Sequence, residues 1–256
     1  MLSIKEIKAD FDSRDKSDIQ SLIDFKEKYS SDERSGVVSL ITRADKLVAA
    51  INKEKERIYA MTEYERRYQG EYEYICGIDE VGRGPLAGPV VAGAVILPRD
   101  CEILYLNDSK QLSAGKREKL TEIIKEKAVA WATAEVSHEI IDEINILNAT
   151  YEAMRRAIAA LGVKPDFLLN DAVTIPGVDM GQCPIIKGDA KSVSIAAASI
   201  VAKVTRDAKM EEYDKLYPGY GFASNKGYGS SEHIKAIKEL GPCPIHRRSF
   251  ISNIVS

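Results

Sequence analysis

Three β-prone runs in this chain end on an acid, and that recurrence constrains the fold more than any other feature. YEYICGID closes on Asp79, with Glu80 next; FLLND closes on Asp171; CPIIKGD closes on Asp189. Strands that feed helices set their ends along one edge of a sheet. Acids far apart in sequence can therefore meet in space.

The rest of the chain reads around those runs. Residues 1–70 hold no proline and only Gly36 and Gly70, and apolar residues recur at helical spacing through Leu40, Ile41, Leu47, Val48, Ile51 and Ile58. The pattern predicts short helices to about Tyr29, a break at SSDERSG and a longer helix to about Arg67. This is a helical N-terminal extension, followed by a second domain over 71–256. There, VVAGAVIL between Pro89 and Pro98 reads as a buried strand, 113–127 as a helix capped by Ser113, and AVAWATAEV as a third strand. Helices are expected over 138–162, about 191–217 and about 230–240.

Bulk properties exclude several classes. No apolar run approaches the roughly 20 residues a membrane helix needs. The N-terminus lacks an apolar signal core, so a cytoplasmic protein is expected. Cys76, Cys101, Cys183 and Cys243 form no C-x-x-C pair and read as reduced packing thiols. The formal net charge of −3 does not advertise a polyanion binder, yet residues 187–250 carry 11 Lys or Arg against 7 Asp or Glu. The extension is balanced at 14 against 14.

Four clustered carboxylates repel one another, and hard divalent cations relieve the repulsion. Magnesium and manganese suit oxygen ligands with no thiol or imidazole nearby. Two such ions can hold both oxygens of an in-line phosphodiester displacement. Each acid also has an ordinary reading: Asp79 and Glu80 as turn caps, Asp171 as a loop acid, Asp189 as the N-cap of the long helix. Only the joint placement favours chemistry. GIDEVGRG lacks both the Gly-Lys-Ser/Thr ending of a triphosphate loop and the G-x-G-x-x-G of a dinucleotide site. Its glycines still permit close backbone approach to a ligand.

GIDEVGRGPLAGPVVAGAVIL, NDSKQLS, NILNAT, KGDAKSVSIAAASIVAKVTRD, YPGYGFASNKGYGS and GPCPIHRRSF stand in an order that resembles ribonuclease HII, across about residues 72–250. The resemblance implies an α/β, ribonuclease-H-like fold: a mixed β-sheet flanked by helices, with a helical C-terminal part. It implies that Asp79, Glu80, Asp171 and Asp189 are catalytic and bind Mn(2+) or Mg(2+). Gly82, Arg83, Gly84 and Tyr228 would recognise a ribonucleotide, whose 2′-hydroxyl alone marks it as RNA. Lys110, Lys187, Ser192, Lys226, Arg247 and Arg248 are candidate backbone contacts, each with a solvated charge or a helix cap as its ordinary reading. Ser194 is weighed the same way. His246, alone in its segment, reads as structural. Two positions depart from the pattern, Asn170 before the third acid and Ser230 closing KGYGS.

The implied activity is endonucleolytic cleavage of RNA in RNA–DNA hybrids and at ribonucleotides embedded in duplex DNA. Metal-activated water would leave 3′-hydroxyl and 5′-phosphate ends, and the enzyme is expected to be a monomer. Two rival readings are another two-metal nuclease of this fold acting on DNA, and a non-catalytic nucleic-acid-binding module.

Overall fold

Alternation along the strands decides what each face of the central sheet meets. The computed structural model describes residues 2–255, in two compact units, Met1–Ala60 and Met61–Ser256.

The first unit is built from helices α1 (Ile4–Ser13), α2 (Ile19–Tyr29) and most of α3 (Ser35–Met61). Ser3 and Glu6 form a capping box on α1, and the Asp18 side chain caps α2. Ile7, Phe11, Leu22, Phe25 and Val37 are fully buried. Phe11 and Phe25 pack edge to face at 5.1 Å. The break expected at SSDERSG falls between α2 and α3, but the long helix stops at Met61, and a short helix α4 (Glu63–Tyr68) belongs to the second unit.

The second unit holds one five-stranded sheet: β1 (Ile75–Val81), β2 (Val90–Ile96), β3 (Ala130–Val136), β4 (Phe167–Asp171) and β5 (Gly181–Ile185), ordered β3-β2-β1-β4-β5. β2 is antiparallel to β1 and β3, while β4 is parallel to β1 and β5. The ends of β1, β4 and β5 therefore share one edge. The helices are α5 (Ala114–Lys127), α6 (His138–Ala159), α7 (Val193–Leu216), α8 (Phe222–Asn225), α9 (Ser231–Leu240) and α10 (Arg248–Ile251).

Cys76 and Ile78 of β1 join Val90, Ala92, Ala94 and Ile96 of β2 in a core with Ile141, Ala149, Ala153, Met154 and Ala157 of α6. The alternate positions face α7. A Cβ on Gly77 would stand 2.1 Å from the Ser194 carbonyl carbon, and one on Gly93 2.3 Å from the Ala198 oxygen. Glycine on the strands and Ala196, Ala197 and Ala198 on α7 let helix and sheet approach at backbone distance. A branched side chain at either glycine would force them apart. Asp79 and Asp171 fall on this α7 side by the same alternation.

Two helix details differ from expectation. Ser113 has extended N-cap geometry, but its hydroxyl does not bond the first turn of α5. The helix over 138–159 is broken at Asn145, whose φ is 66° and whose Oδ1 caps the amides of Leu147 and Asn148. With ψ at 164° this is a backbone that favours glycine, and the side-chain cap on the two following amides offsets its cost, so NILNAT starts a new helix inside an otherwise continuous pattern. Among the described residues, no helix is long and apolar enough to cross a membrane.

Candidate active site

The last paired residues of the parallel strands β1 and β4 are Ile78 and Asn170. One residue further on come Asp79 and Asp171, so neighbouring strands deliver two carboxylates to the same edge. Glu80 follows Asp79, and Asp189 sits in a single 3₁₀ turn, Gly188–Ala190, between β5 and α7. Asp79 and Asp189 are buried.

Each acid is engaged locally. Asp79 accepts from the Glu80 amide at 2.7 Å, and Asp171 accepts from the Gly188 amide at 2.7 Å. Glu80 lies 3.4 Å from Arg83 Nη1. Burial pushes the Asp79 carboxyl well above the usual range, with Glu80 and Asp171 adding to the rise and the Ser199 hydroxyl partly opposing it. Burial also raises Glu80 against the pull of Arg83. Asp189 is raised to about 6 by burial, then by Asp108 and Asp171. These shifts tie all four acids, with Asp108, into one electrostatic cluster.

Among the described residues, no group of three or more His, Cys, Asp or Glu side chains closes into a metal-holding set as they stand. The donor chemistry nonetheless fits a hard divalent ion: the cluster offers carboxylate oxygens in mutual electrostatic contact. Asp79, Glu80, Asp171 and Asp189 would hold it.

Lys110 is exposed at this edge. Burial opposes its charge, but Asp108, Asp189, Asp79 and Asp171 together raise its pKa. Asp108 is an acid the sequence reading passed over: its side chain caps the turn Ser109–Gln111 that carries Lys110. Its place in NDSK, directly before the serine and lysine, was the available signal.

Beside the acids, the glycine-arginine-glycine loop and the tyrosine come together. A Cβ on Gly84 would lie 3.8 Å from Tyr228 Cε1. Arg83, Gly84 and Tyr228 are exposed, whereas Gly82 is buried, with φ +95°. Two fully buried arginines shape this pocket. Arg206 donates to the carbonyls of Pro89, Lys226 and Ala87 at 2.9, 2.9 and 3.2 Å. Arg247 donates to Gly88, Arg83 and Gly82 at 3.0, 2.9 and 2.6 Å. Burial lowers both, with the like charge of Arg206 helping to bring Arg247 to about 9. Arg206 was not singled out from the sequence, because a buried arginine is written like any other.

Two of the candidate backbone contacts are buried. Arg247 spends its guanidinium on loop carbonyls and has no exposed surface for a phosphate. Ser192 is equally buried: its hydroxyl caps the Ile195 amide and donates to Glu65 at 2.5 Å. Glu65, on α4, also takes the Ser194 amide at 3.0 Å and hydroxyl at 2.6 Å. A carboxylate of the chain itself thus occupies the amide-rich start of α7, a place that favours anions. Nothing in the sequence around Glu65 distinguishes it from its surface neighbours. Lys187 and Arg248 are exposed, and Lys226 pairs with Glu211 at 2.6 Å. His246 is not alone: its Nε2 lies 3.0 Å from His233 Nε2 in the interior.

Comparison with known proteins decides which family this geometry belongs to. Ribonuclease HII matches residues 76–253, and the ribonuclease HII N-terminal domain matches residues 3–69. The chain belongs to the ribonuclease HII family. It is 65% identical to the ribonuclease HII of Lachnoclostridium phytofermentans over 231 residues, 90% of this chain and 91% of that one. The Clostridioides difficile ribonuclease HII is 50% identical over 254 residues, 99% of this chain and 98% of its own. Among solved structures, ribonuclease H2 from Pyrococcus horikoshii superposes with a TM-score of 0.59 at 30% identity, covering 71% of this chain and 97% of that one. The chain is accordingly a ribonuclease H enzyme, of a family that acts on RNA-containing nucleic acid and depends in general on divalent metal.

Proposed function

We propose that the four acids and the adjoining loop pair form one site that cleaves on the 5′ side of a ribonucleotide, both in RNA–DNA hybrids and at single ribonucleotides within duplex DNA. The observation that carries this reading is continuity. Asp79 and Glu80 run directly into Gly82, Arg83 and Gly84, and Gly84 lies beside Tyr228. A ribose held at the loop would have its phosphate beside the acids.

Within that reading, Gly84 leaves room for a ribose to approach the backbone, and loop amides meet its 2′-hydroxyl. The Tyr228 ring packs on the adjoining deoxyribose. Lys110, Lys187 and Arg248 contact phosphates from the rim, and Lys226 joins them if it leaves Glu211. When bound, Mg(2+) or Mn(2+) would neutralise the acids and favour attack by water on the phosphorus. The side chains keep the reacting groups in place, and no protein nucleophile is required. The products carry 3′-hydroxyl and 5′-phosphate ends. The enzyme works as a monomer in the cytoplasm.

The test is a DNA duplex with one ribonucleotide, incubated with and without magnesium or manganese, the cut mapped to the nucleotide. Cleavage at the 5′ side of the ribonucleotide, absent from a matched all-DNA duplex, is expected. Equal cutting of all-DNA would instead favour a DNA nuclease of this fold. Asp79→Asn should abolish cleavage and leave hybrid binding measurable.

A further inference from the structure

His246 and Arg247 are adjacent, and they serve opposite halves of the pocket. Their segment is tied to the loop after β1 by a bridge between Ala87 and His246 and by the Arg247 amide on Leu86. Arg247 then holds the carbonyls of Gly82 and Arg83. His246 reaches the other way, to His233 of α9 at 3.0 Å, and His233 Nδ1 lies 2.8 Å from the Tyr228 carbonyl. Both histidines are buried, walled by Tyr220 and Phe222 with ring centroids 5.1 Å from His246 and 5.3 Å from His233.

The polarity of this chain of bonds is decided at its ends. The Cys243 amide, 2.9 Å from His246 Nδ1, can only donate. The amide is nearer than the Cys243 carbonyl, which is 3.3 Å from the same nitrogen, so Nδ1 accepts and the proton of a neutral His246 is on Nε2. His233 Nε2 must accept it, which puts the His233 proton on Nδ1, pointing at a carbonyl that can only accept. Both rings are neutral, with opposite tautomers. An added proton is poorly placed: on His246 it would face the Cys243 amide, with only the Cys243 carbonyl at 3.3 Å to take it, and on His233 it would face the His246 N–H. The Cys243 thiol, 3.1 Å from His246 Nδ1, can donate to the same nitrogen. Arg248 and His138 also oppose positive charge on His246.

We propose that His233 and His246 are positioning residues for ribonucleotide recognition: a one-way, neutral hydrogen-bond chain that sets the Tyr228 carbonyl and hence the ring beside Gly84. The inference rests on the ribonucleotide-reading role of Tyr228. The Ser230 amide also bonds the Tyr228 carbonyl, at 2.9 Å, so removing His233 shifts the ring without releasing the loop.

Nitrogen-15 NMR of the full chain at pH 7 should show His233 protonated on Nδ1 and His246 on Nε2, both neutral; any other tautomer pair, or a charged ring, overturns the chain. His233→Phe should lower kcat/KM on a single-ribonucleotide duplex by about tenfold more than on a continuous RNA–DNA hybrid. His233→Asn, whose amide replaces the Nδ1 donor, should recover most of that ratio. A loss shared equally by both substrates and tracking the melting temperature would reduce the histidines to packing. Tyr228→Ala separates the two claims. If it leaves the substrate ratio unchanged, the reading of Tyr228 falls and takes this inference with it. If it changes the ratio and His233→Phe does not, only the positioning role is overturned.

Discussion

Arg247 Nη2 donates to the Gly82 carbonyl at 2.6 Å, joining the end of the chain to the loop that follows the first two acids. Its other nitrogens take Arg83 and Gly88, so one planar side chain fixes the loop at three carbonyls. Lysine cannot reproduce that fork. Arg247→Lys should cost about 2–4 kcal/mol of stability, because buried carbonyls lose their donors. Urea unfolding measures the loss. The salt dependence of hybrid binding should stay as in the parent; a shallower slope would return Arg247 to the phosphate contacts.

Lys110 offers the contrast. It is exposed above the acids. Lys110→Ala should weaken hybrid binding for every sequence alike and reduce the slope of log affinity against log salt by about 1. Fluorescence anisotropy between low and moderate salt would show this, and an unchanged slope would remove Lys110 from the interface.

Repulsion among the carboxylates makes a prediction about stability as well as rate. Asp79→Asn removes one charge from a buried cluster and should raise the metal-free melting temperature, by the equivalent of about 0.5–2 kcal/mol. Added magnesium or manganese should stabilise the parent and do so much less for the variant. Calorimetry with chelator and with metal tests both; equal metal responses would exclude Asp79 as a ligand.

Glu65 holds two serine hydroxyls and one amide at the start of α7, and its Oε2 is buried with no hydrogen-bond partner among the described residues. Glu65→Ala should destabilise the second unit by about 1–3 kcal/mol, since buried donors are left unpaired. Glu65→Gln should recover part of it, its amide oxygen accepting in place of one carboxylate oxygen. Thermal melts decide the order of the three proteins. If alanine matches the parent, Glu65 carries no structural weight.

The His246 imidazole is held at about 4 by burial, with His233 adding to the effect. A histidine whose pKa falls on folding binds its proton more readily when unfolded. Its contribution to stability is complete above its unfolded value near 6.5 and is lost as pH falls toward about 4, at roughly 1.4 kcal/mol per pH unit. His246→Gln should flatten that part of the stability–pH curve, read by denaturation between pH 7 and 4. A curve identical to the parent would show that other groups govern this range.

The sequence alone carried the ends of β1 and β4, with Asp79 and Asp171 at them, and the helix periods; Asp189, expected at a strand end, lies in the 3₁₀ turn beyond β5. Hydrophobic alternation and turn residues are local signals, whereas the parallel run of β1, β4 and β5 is decided by how the sheet assembles. The order of motifs also brought Gly84 and Tyr228 under suspicion together, before their proximity was seen. Tertiary structure alone decided which charges are spent inside. Arg247 and Ser192 stood as candidate phosphate contacts, Ser192 equally as a helix cap, because an exposed and a buried polar residue look the same in one dimension; packing sets loop carbonyls on Arg247 and Glu65 on Ser192. The His233–His246 pair lay beyond sequence reading for the same reason: a hydrogen bond between residues 13 apart on separate segments depends on how α9 meets the C-terminal turn, and no local rule encodes that meeting.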